Sequence, residues 1–179
     1  EVLGNHHSLT FRTLDAPPVD PEEDYIISCI AVRNTISPPI FLTIRDLDLY
    51  DASEFYDYTH KCGVINLAAG NSLLMERCKI ITTSICITAY GANSYEDKGE
   101  YIVIKDSVLK GNFFCWENGA KRNELYNSIV EINTIGHYAG DVISCVGDLK
   151  IDRSIINGGI EVSQELNGEI YNIVCTNSE

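Results

Sequence analysis

The side chains able to do acid–base chemistry in this chain of 179 residues are few and spread out. Glu117, Asp141 and Asp148 are carboxylates in the C-terminal half, and His137 stands between them. The segment GANSYEDKGEY (91–101) adds Glu96, Asp97 and Glu100. Glycoside hydrolysis needs two carboxylates across one bond, ~5–5.5 Å apart for retention and ~6.5–9.5 Å for inversion. Three aromatic residues, Tyr90, Phe114 and Trp116, lie near the same stretch, and such rings can stack on the apolar face of a sugar. Other chemistries lack their motifs. There is no phosphate-cradling Gly loop, no G-x-S-x-G and no H-E-x-x-H. His6-His7 has no third ligand nearby in sequence, and no Cys/His set has zinc spacing.

Composition narrows the classes further. The 45% hydrophobic content is enough for a packed core and excludes a disordered chain. No stretch approaches the ~20 apolar residues of a membrane span. The net charge of −13 argues against nucleic acid or an anionic bilayer as partner. The length fits one domain, residues 1–179. Seven cysteines cannot all pair within one chain. Cys29, Cys86, Cys145 and Cys175 sit in apolar runs and read as small buried hydrophobes. The contexts of Cys62, Cys78 and Cys115 are less telling.

The elements that must position these residues are strands. Apolar residues come in short bursts with two-residue alternation, and amphipathic helical stretches are almost absent. One segment type recurs: LTIRDLDL (42–49), LLMERCKI (73–80), IVIKDSVL (102–109), LYNSIVEI (125–132), LKIDRSII (149–156) and IYNIVC (170–175). SLTFRTL (8–14) reads as an earlier copy. A second type interleaves with it: IISCIAV (26–32), VINLAAG (64–70), ICITAYG (85–91), FFCWENG (113–119), DVISCVG (141–147) and IEVS (160–163). Gly70, Gly91, Gly119 and Gly147 close four of these runs and would supply the positive φ of a sharp corner. A drifting period of 20–30 residues with repeated corners describes a solenoid. Asn157-Gly158 and Asn167-Gly168 are the few hairpin signals. A leucine-rich repeat would need denser Leu and a fixed Asn, and a β-sandwich would not give the recurring phase.

The pattern x-I-x-I-x-[DNR]-[SC]-x-I, seen in 73–80, 102–109 and 149–156, resembles the right-handed parallel β-helices of the pectate-lyase-like superfamily. The resemblance covers most of residues 26–175. The run MERCKI is also similar to extracellular β-helix domains of unknown function from Bacteroidetes and to phage tailspikes. The implied fold is all-β, a right-handed parallel β-helix of about six coils. In such polysaccharide enzymes sugar lies across the first strand of several coils, here the Gly-ended segments. If Ile85, Ile87 and Ala89 point inward, Cys86, Thr88 and Tyr90 point outward. The next coil then exposes either Phe114, Trp116 and Asn118 or Phe113, Cys115 and Glu117. The first choice sets Trp116 near Tyr90 on one surface. The plain alternative is that Trp116 is a core residue.

The resemblance also implies a chemistry. A pectate-lyase-like reaction would use a basic residue, for which Lys121 and Arg122 are placed after Trp116 and Glu117. It would hold Ca²⁺ on clustered carboxylates, here Glu96, Asp97 and Glu100; the plain alternative is a solvated loop. Polygalacturonase-like motifs are absent, and Gly136-His137-Tyr138 is only a partial echo of one. Three functions follow as expectations. The leading one is an extracellular or cell-surface bacterial module that binds or displays carbohydrate or makes surface contacts, with no cofactor. The others are a polysaccharide lyase or hydrolase using Glu117, Asp141, His137 and Lys121, with Ca²⁺ if a lyase, and a virion segment of a homotrimeric tailspike. The acidic, Pro-rich run 15–25 and the aromatic run 50–61 read as long loops. The chain starts without Met or a signal sequence and so reads as part of a larger protein, whose exposed end strands need caps or association.

Overall fold

The computed structural model describes residues 1–11, 29–32, 38–51, 63–82, 85–90, 97–111, 116–117, 119–132, 141–162 and 172–179; for Phe11, Asp51, Gly63, Tyr90, Glu117 and Asp141 it describes the backbone alone. The described residues contain strands and no helix. In chain order the strands are β1 (Val2–Phe11), β2 (Ile30–Val32), β3 (Phe41–Asp51), β4 (Gly63–Ala68), β5 (Ser72–Glu76), β6 (Lys79–Ile81), β7 (Ile85–Tyr90), β8 (Tyr101–Lys105) and β9 (Val108–Gly111). They continue as β10 (Trp116–Glu117), β11 (Arg122–Tyr126), β12 (Ile129–Ile132), β13 (Asp141–Cys145), β14 (Asp148–Asp152), β15 (Ile155–Asn157), β16 (Gly159–Val162) and β17 (Ile173–Thr176).

Two sheets result, and their pairings are parallel. Sheet A has the order β15-β12-β9-β6-β3-β5-β8-β11-β14-β17, with β1 also on β3. Sheet B has the order β16-β13-β10-β7-β4-β2. Equivalent strands of successive repeats therefore lie side by side, which makes the fold solenoid-like. A parallel sheet is stable when its faces are covered. In sheet A the interior row is Ile44, Met75, Ile104, Leu125 and Ile151, and each side chain is buried. In sheet B it is Ile65, Ile87, Trp116 and Ile143. Both rows belong to one hydrophobic cluster. Full burial of a side chain of this size contributes roughly 1.5–3 kcal/mol.

The [DNR]-[SC] pair is the corner between the two halves of sheet A. Asp46, Arg77, Asp106, Asn127, Arg153 and Asn177 all have φ between 46° and 54°. Asn and Asp tolerate this left-handed conformation better than most side chains do. The corner N–H groups still find acceptors in the next repeat: Arg77 donates to the Lys105 carbonyl, Asp106 to Tyr126, Asn127 to Asp152 and Arg153 to Thr176, each at 3.0 Å.

From Arg77 onward, the residue after each corner builds a ladder. The Cys78 N–H donates to Ser107 Oγ, Ser107 N–H to Ser128 Oγ and Ser128 N–H to Ser154 Oγ, all at 3.1 Å; Ser154 N–H donates to Ser178 Oγ at 3.2 Å. Each hydroxyl donates in turn to the carbonyl two residues back: Ser107 to Lys105 (2.6 Å), Ser128 to Tyr126 (2.7 Å), Ser154 to Asp152 (3.0 Å) and Ser178 to Thr176 (2.8 Å). A hydroxyl can donate and accept at once, which a methyl or thioether cannot. Cys78 keeps the donor half of the pattern, with Sγ 3.2 Å from the Glu76 carbonyl.

The structure changes several details of the sequence reading. Asn123, not Leu125, aligns with Ile102, and Ile173, not Ile170, aligns with Leu149. The fourth and sixth copies are thus shifted by two and three residues. Ser8 aligns with Asp48, so the early copy meets the second half of β3 and not its start. Gly70 and Gly147 have positive φ, at 80° and 103°. Gly119 serves differently: a Cβ there would come 2.5 Å from Asn123 Oδ1. Gly91 lies outside the described residues. Asn157-Gly158 is a corner and not a hairpin, because β15 pairs with β12 and β16 with β13.

The ladder makes a direct prediction. Ser128→Ala leaves the buried Ser107 N–H without its acceptor and should cost about 1–3 kcal/mol. Ser178→Ala, in the outermost layer, should cost less than half as much. Urea unfolding of both variants checks this, and a Ser128→Ala midpoint equal to wild type would remove the ladder's energetic role.

Candidate functional site

The Gly-ended segments form sheet B, where register decides which side chains share a face. Ala31, Asn66, Thr88, Glu117, Ser144 and Glu161 are in one row. Trp116 is one residue out of that row and aligns with Ile87 and Ile143. It is fully buried, and its Nε1 has no hydrogen-bond partner among the described residues. This corrects the expectation that Trp116 offers an outward stacking surface beside Tyr90. Tyr90 lies level with Ala68, two positions along from the Thr88–Glu117 row. Alternation puts its residue position on the face opposite Trp116. Within the row, Asn66 and Thr88 are buried with polar side-chain atoms that find no partner among the described residues, while Ser144 donates to exposed Glu161 at 3.1 Å.

The remaining predicted residues are not gathered at one point. Asp141 is level with Gly159, three residues before the Ser144 position beside Glu117. At ~3.3 Å per residue, that is about 10 Å along the strand. Asp148 is on sheet A, where it accepts from the Asn172 backbone N–H at 3.0 Å. Lys121 Nζ lies 3.0 Å from Glu100 Oε1, so these two predicted groups pair with each other. Asp97 and Glu100 are exposed, and no set of three His, Cys, Asp or Glu among the described residues could hold a metal ion. His137, Phe114 and Glu96 lie outside the described residues.

The open chemistry lies on the outer face of sheet A. Phe41 stacks on Tyr101 with ring centroids 6.0 Å apart, and Arg122 stands over the Tyr101 ring at 5.7 Å. Arg122 Nε is also 3.2 Å from Glu124 Oε1. Four positions along from the Tyr101–Arg122 level, Lys105 aligns with Tyr126, and Tyr126 with Asp152. Tyr126 donates its hydroxyl to Glu124 Oε2 at 3.1 Å, and Lys150 Nζ sits 5.1 Å from its ring centroid. Lys105, Asp106, Glu124, Tyr126, Asn127 and Arg153 line an open depression of about 360 Å³. The sequence reading missed these residues, because each looks like an ordinary surface position. The available signal was the aromatic residue at the fifth place of the repeat in LYNSIV, where four other copies carry the charged residues Arg45, Glu76, Lys105 and Asp152.

The corner carries its own electrostatics. Arg77 makes a bidentate pair with Asp46, at 2.6 and 2.9 Å. That hydrogen bond holds the Asp46 carboxyl below the ordinary carboxylate range, outweighing the opposing effect of burial. Thr176 does the same for Asp152 through a 2.8 Å hydrogen bond.

The cysteines divide by layer. Cys86 and Cys145 are buried as expected, and burial pushes the Cys145 thiol up to about 12. Cys78 is buried as well. Cys29 is half-buried, and Cys175 is exposed, contrary to the reading of its apolar run. Cys175 continues the interior row beyond Ile151, but among the described residues β17 ends the order of sheet A and no further strand pairs beyond it. Cys62 and Cys115 lie outside the described residues.

No protein-family model matches the chain, and neither a curated protein nor a solved structure matches it. The geometry alone carries the functional argument.

A depressed carboxylate fixes the sign of a pH effect. The Asp46–Arg77 pair stabilises the folded state above the unfolded carboxylate pKa of ~3.9, and its contribution is lost as pH falls through the lower folded value. Arg77→Met should therefore be less stable than wild type at pH 7, with the gap closing under acid. Urea midpoints across pH 2–7 test this (roughly the carboxylate titration window); a gap independent of pH would contradict it.

Proposed function

We propose that the chain is a right-handed parallel β-helix of about six coils that acts as an extracellular module holding carbohydrate without cleaving it. The coil reading is supported by six left-handed corners at residues 46, 77, 106, 127, 153 and 177, joined by parallel pairing between successive repeats. The binding reading rests on one observation above the others. The outer face of sheet A presents half-exposed aromatic rings among paired cations and carboxylates, around an open depression. Aromatic faces bind the apolar side of a sugar ring, and charged or polar neighbours can bond its hydroxyls.

The reading without catalysis is favoured by where the predicted groups fall. Glu117 and Asp141 sit at different heights of sheet B, and Lys121 is engaged with Glu100. A general acid and its partner must reach the same bond.

A glycan-array screen of the intact chain, with and without calcium, tests the proposal. Binding that survives chelation, with no released product, is the expected outcome. Unsaturated or reducing-end products would replace it with the lyase or hydrolase reading. Calcium-dependent binding would move the site to the 96–100 carboxylates. A stable trimer by light scattering, without glycan binding, would favour the tailspike reading.

A further inference from the structure

We infer that the depression over Tyr126 is a binding site for a neutral sugar ring; this rests on the carbohydrate reading above and names its site and ligand class. The depression spans the outward ends of three successive repeats. Lys105 and Asp106 come from the β8 corner, Glu124, Tyr126 and Asn127 from the β11 corner, and Arg153 from the β14 corner. Its volume of about 360 Å³ is at the small end of ligand sites, which span roughly 300–1,000 Å³.

Tyr126 is already held in place. Lys150, on the following strand, covers one side of the ring, and Glu124 holds the hydroxyl. Lys105, on the preceding strand, is in register with Tyr126 and lines the same depression. A ring fixed by two contacts loses little freedom when a ligand arrives.

The lining also selects for charge. Lys105 and Arg153 supply two cations, and Asp106 and Glu124 supply two carboxylates, so the site has no surplus of either sign. The chain as a whole carries −13, which opposes an anionic polymer. Sugar hydroxyls both donate and accept. They match a wall where cations that only donate alternate with carboxylates that only accept. Asn127 keeps the Asp106 carboxylate aligned, donating to its Oδ1 at 2.6 Å. A uronate would instead set its own carboxylate against Asp106 and Glu124.

The test is a titration of the ¹⁵N-labelled full chain with neutral gluco-, manno- and galacto-tetraoses and with tetragalacturonate. Amide shifts should cluster at 105–106, 124–127 and 153 for at least one neutral probe. Tetragalacturonate should bind at least fivefold more weakly. Tyr126→Ala, checked for an unchanged strand spectrum, should weaken the neutral probe at least tenfold, and Tyr126→Phe less than threefold. Shift mapping on wild type needs no variant, so misfolding of Tyr126→Ala would not rescue the idea. Neutral-glycan shifts that cluster elsewhere, or a preference for the uronate, would overturn this site and leave the carbohydrate reading standing. A wild-type chain that binds none of the probes and nothing on the array would overturn both.

Discussion

The structure depends on a serine hydroxyl that makes two hydrogen bonds behind four of the six corners. A solenoid must turn its chain sharply and still satisfy every backbone N–H that the turn buries. A left-handed residue supplies the turn, at a cost of roughly 1–2 kcal/mol when it is not glycine. Here six corners use Asp, Asn or Arg. The serine behind the corner accepts an N–H from the preceding repeat and donates to its own chain two residues back. The same atom therefore sets the local turn and the register between layers. Apolar rows on either side then stack like on like, because a fixed register returns Ile, Leu or Met to the same interior place.

That constraint also produces the outer face. Once the inward positions are committed to the core, alternation sends the fifth residue of each repeat outward. Arg45, Glu76, Lys105, Tyr126, Asp152 and Thr176 form this row. Arg45 links Glu76 at 2.6 Å and Glu1 at 2.8 Å, so the early part of the row is closed by ion pairs. Tyr126 interrupts the charges, and the depression opens there. The candidate site thus arises where a regular, self-paired surface changes character.

Strand type, parallel stacking and the corner motif were legible in the sequence, because each repeat states them again. Phase was less legible where the corner lacked its usual neighbours. Leu125 begins an apolar run, but Asn123 is the true start, and it is buried because its side chain bonds the Ala120 N–H and three carbonyls. The side on which Trp116 falls could not be read from a two-residue strand; it follows from its pairing with Ile87 and Ile143. The exposure of Cys175 depends on whether another layer covers it, which its own run of residues does not encode. The depression was hidden for a related reason. Its residues come from three separate stretches of the chain, 105–106, 124–127 and 153, and only register brings them together.

Amide hydrogen exchange at the corner serines tests the central claim most directly. If the hydroxyl ladder holds the layers in register, the N–H groups of Cys78, Ser107 and Ser128 should exchange on the order of a thousandfold or more slower than free amides. The Ser154 N–H, which donates to Ser178 in the outermost layer, should be less protected. Exchange of the Ser107 and Ser128 amides at the rate of open loops would contradict the account.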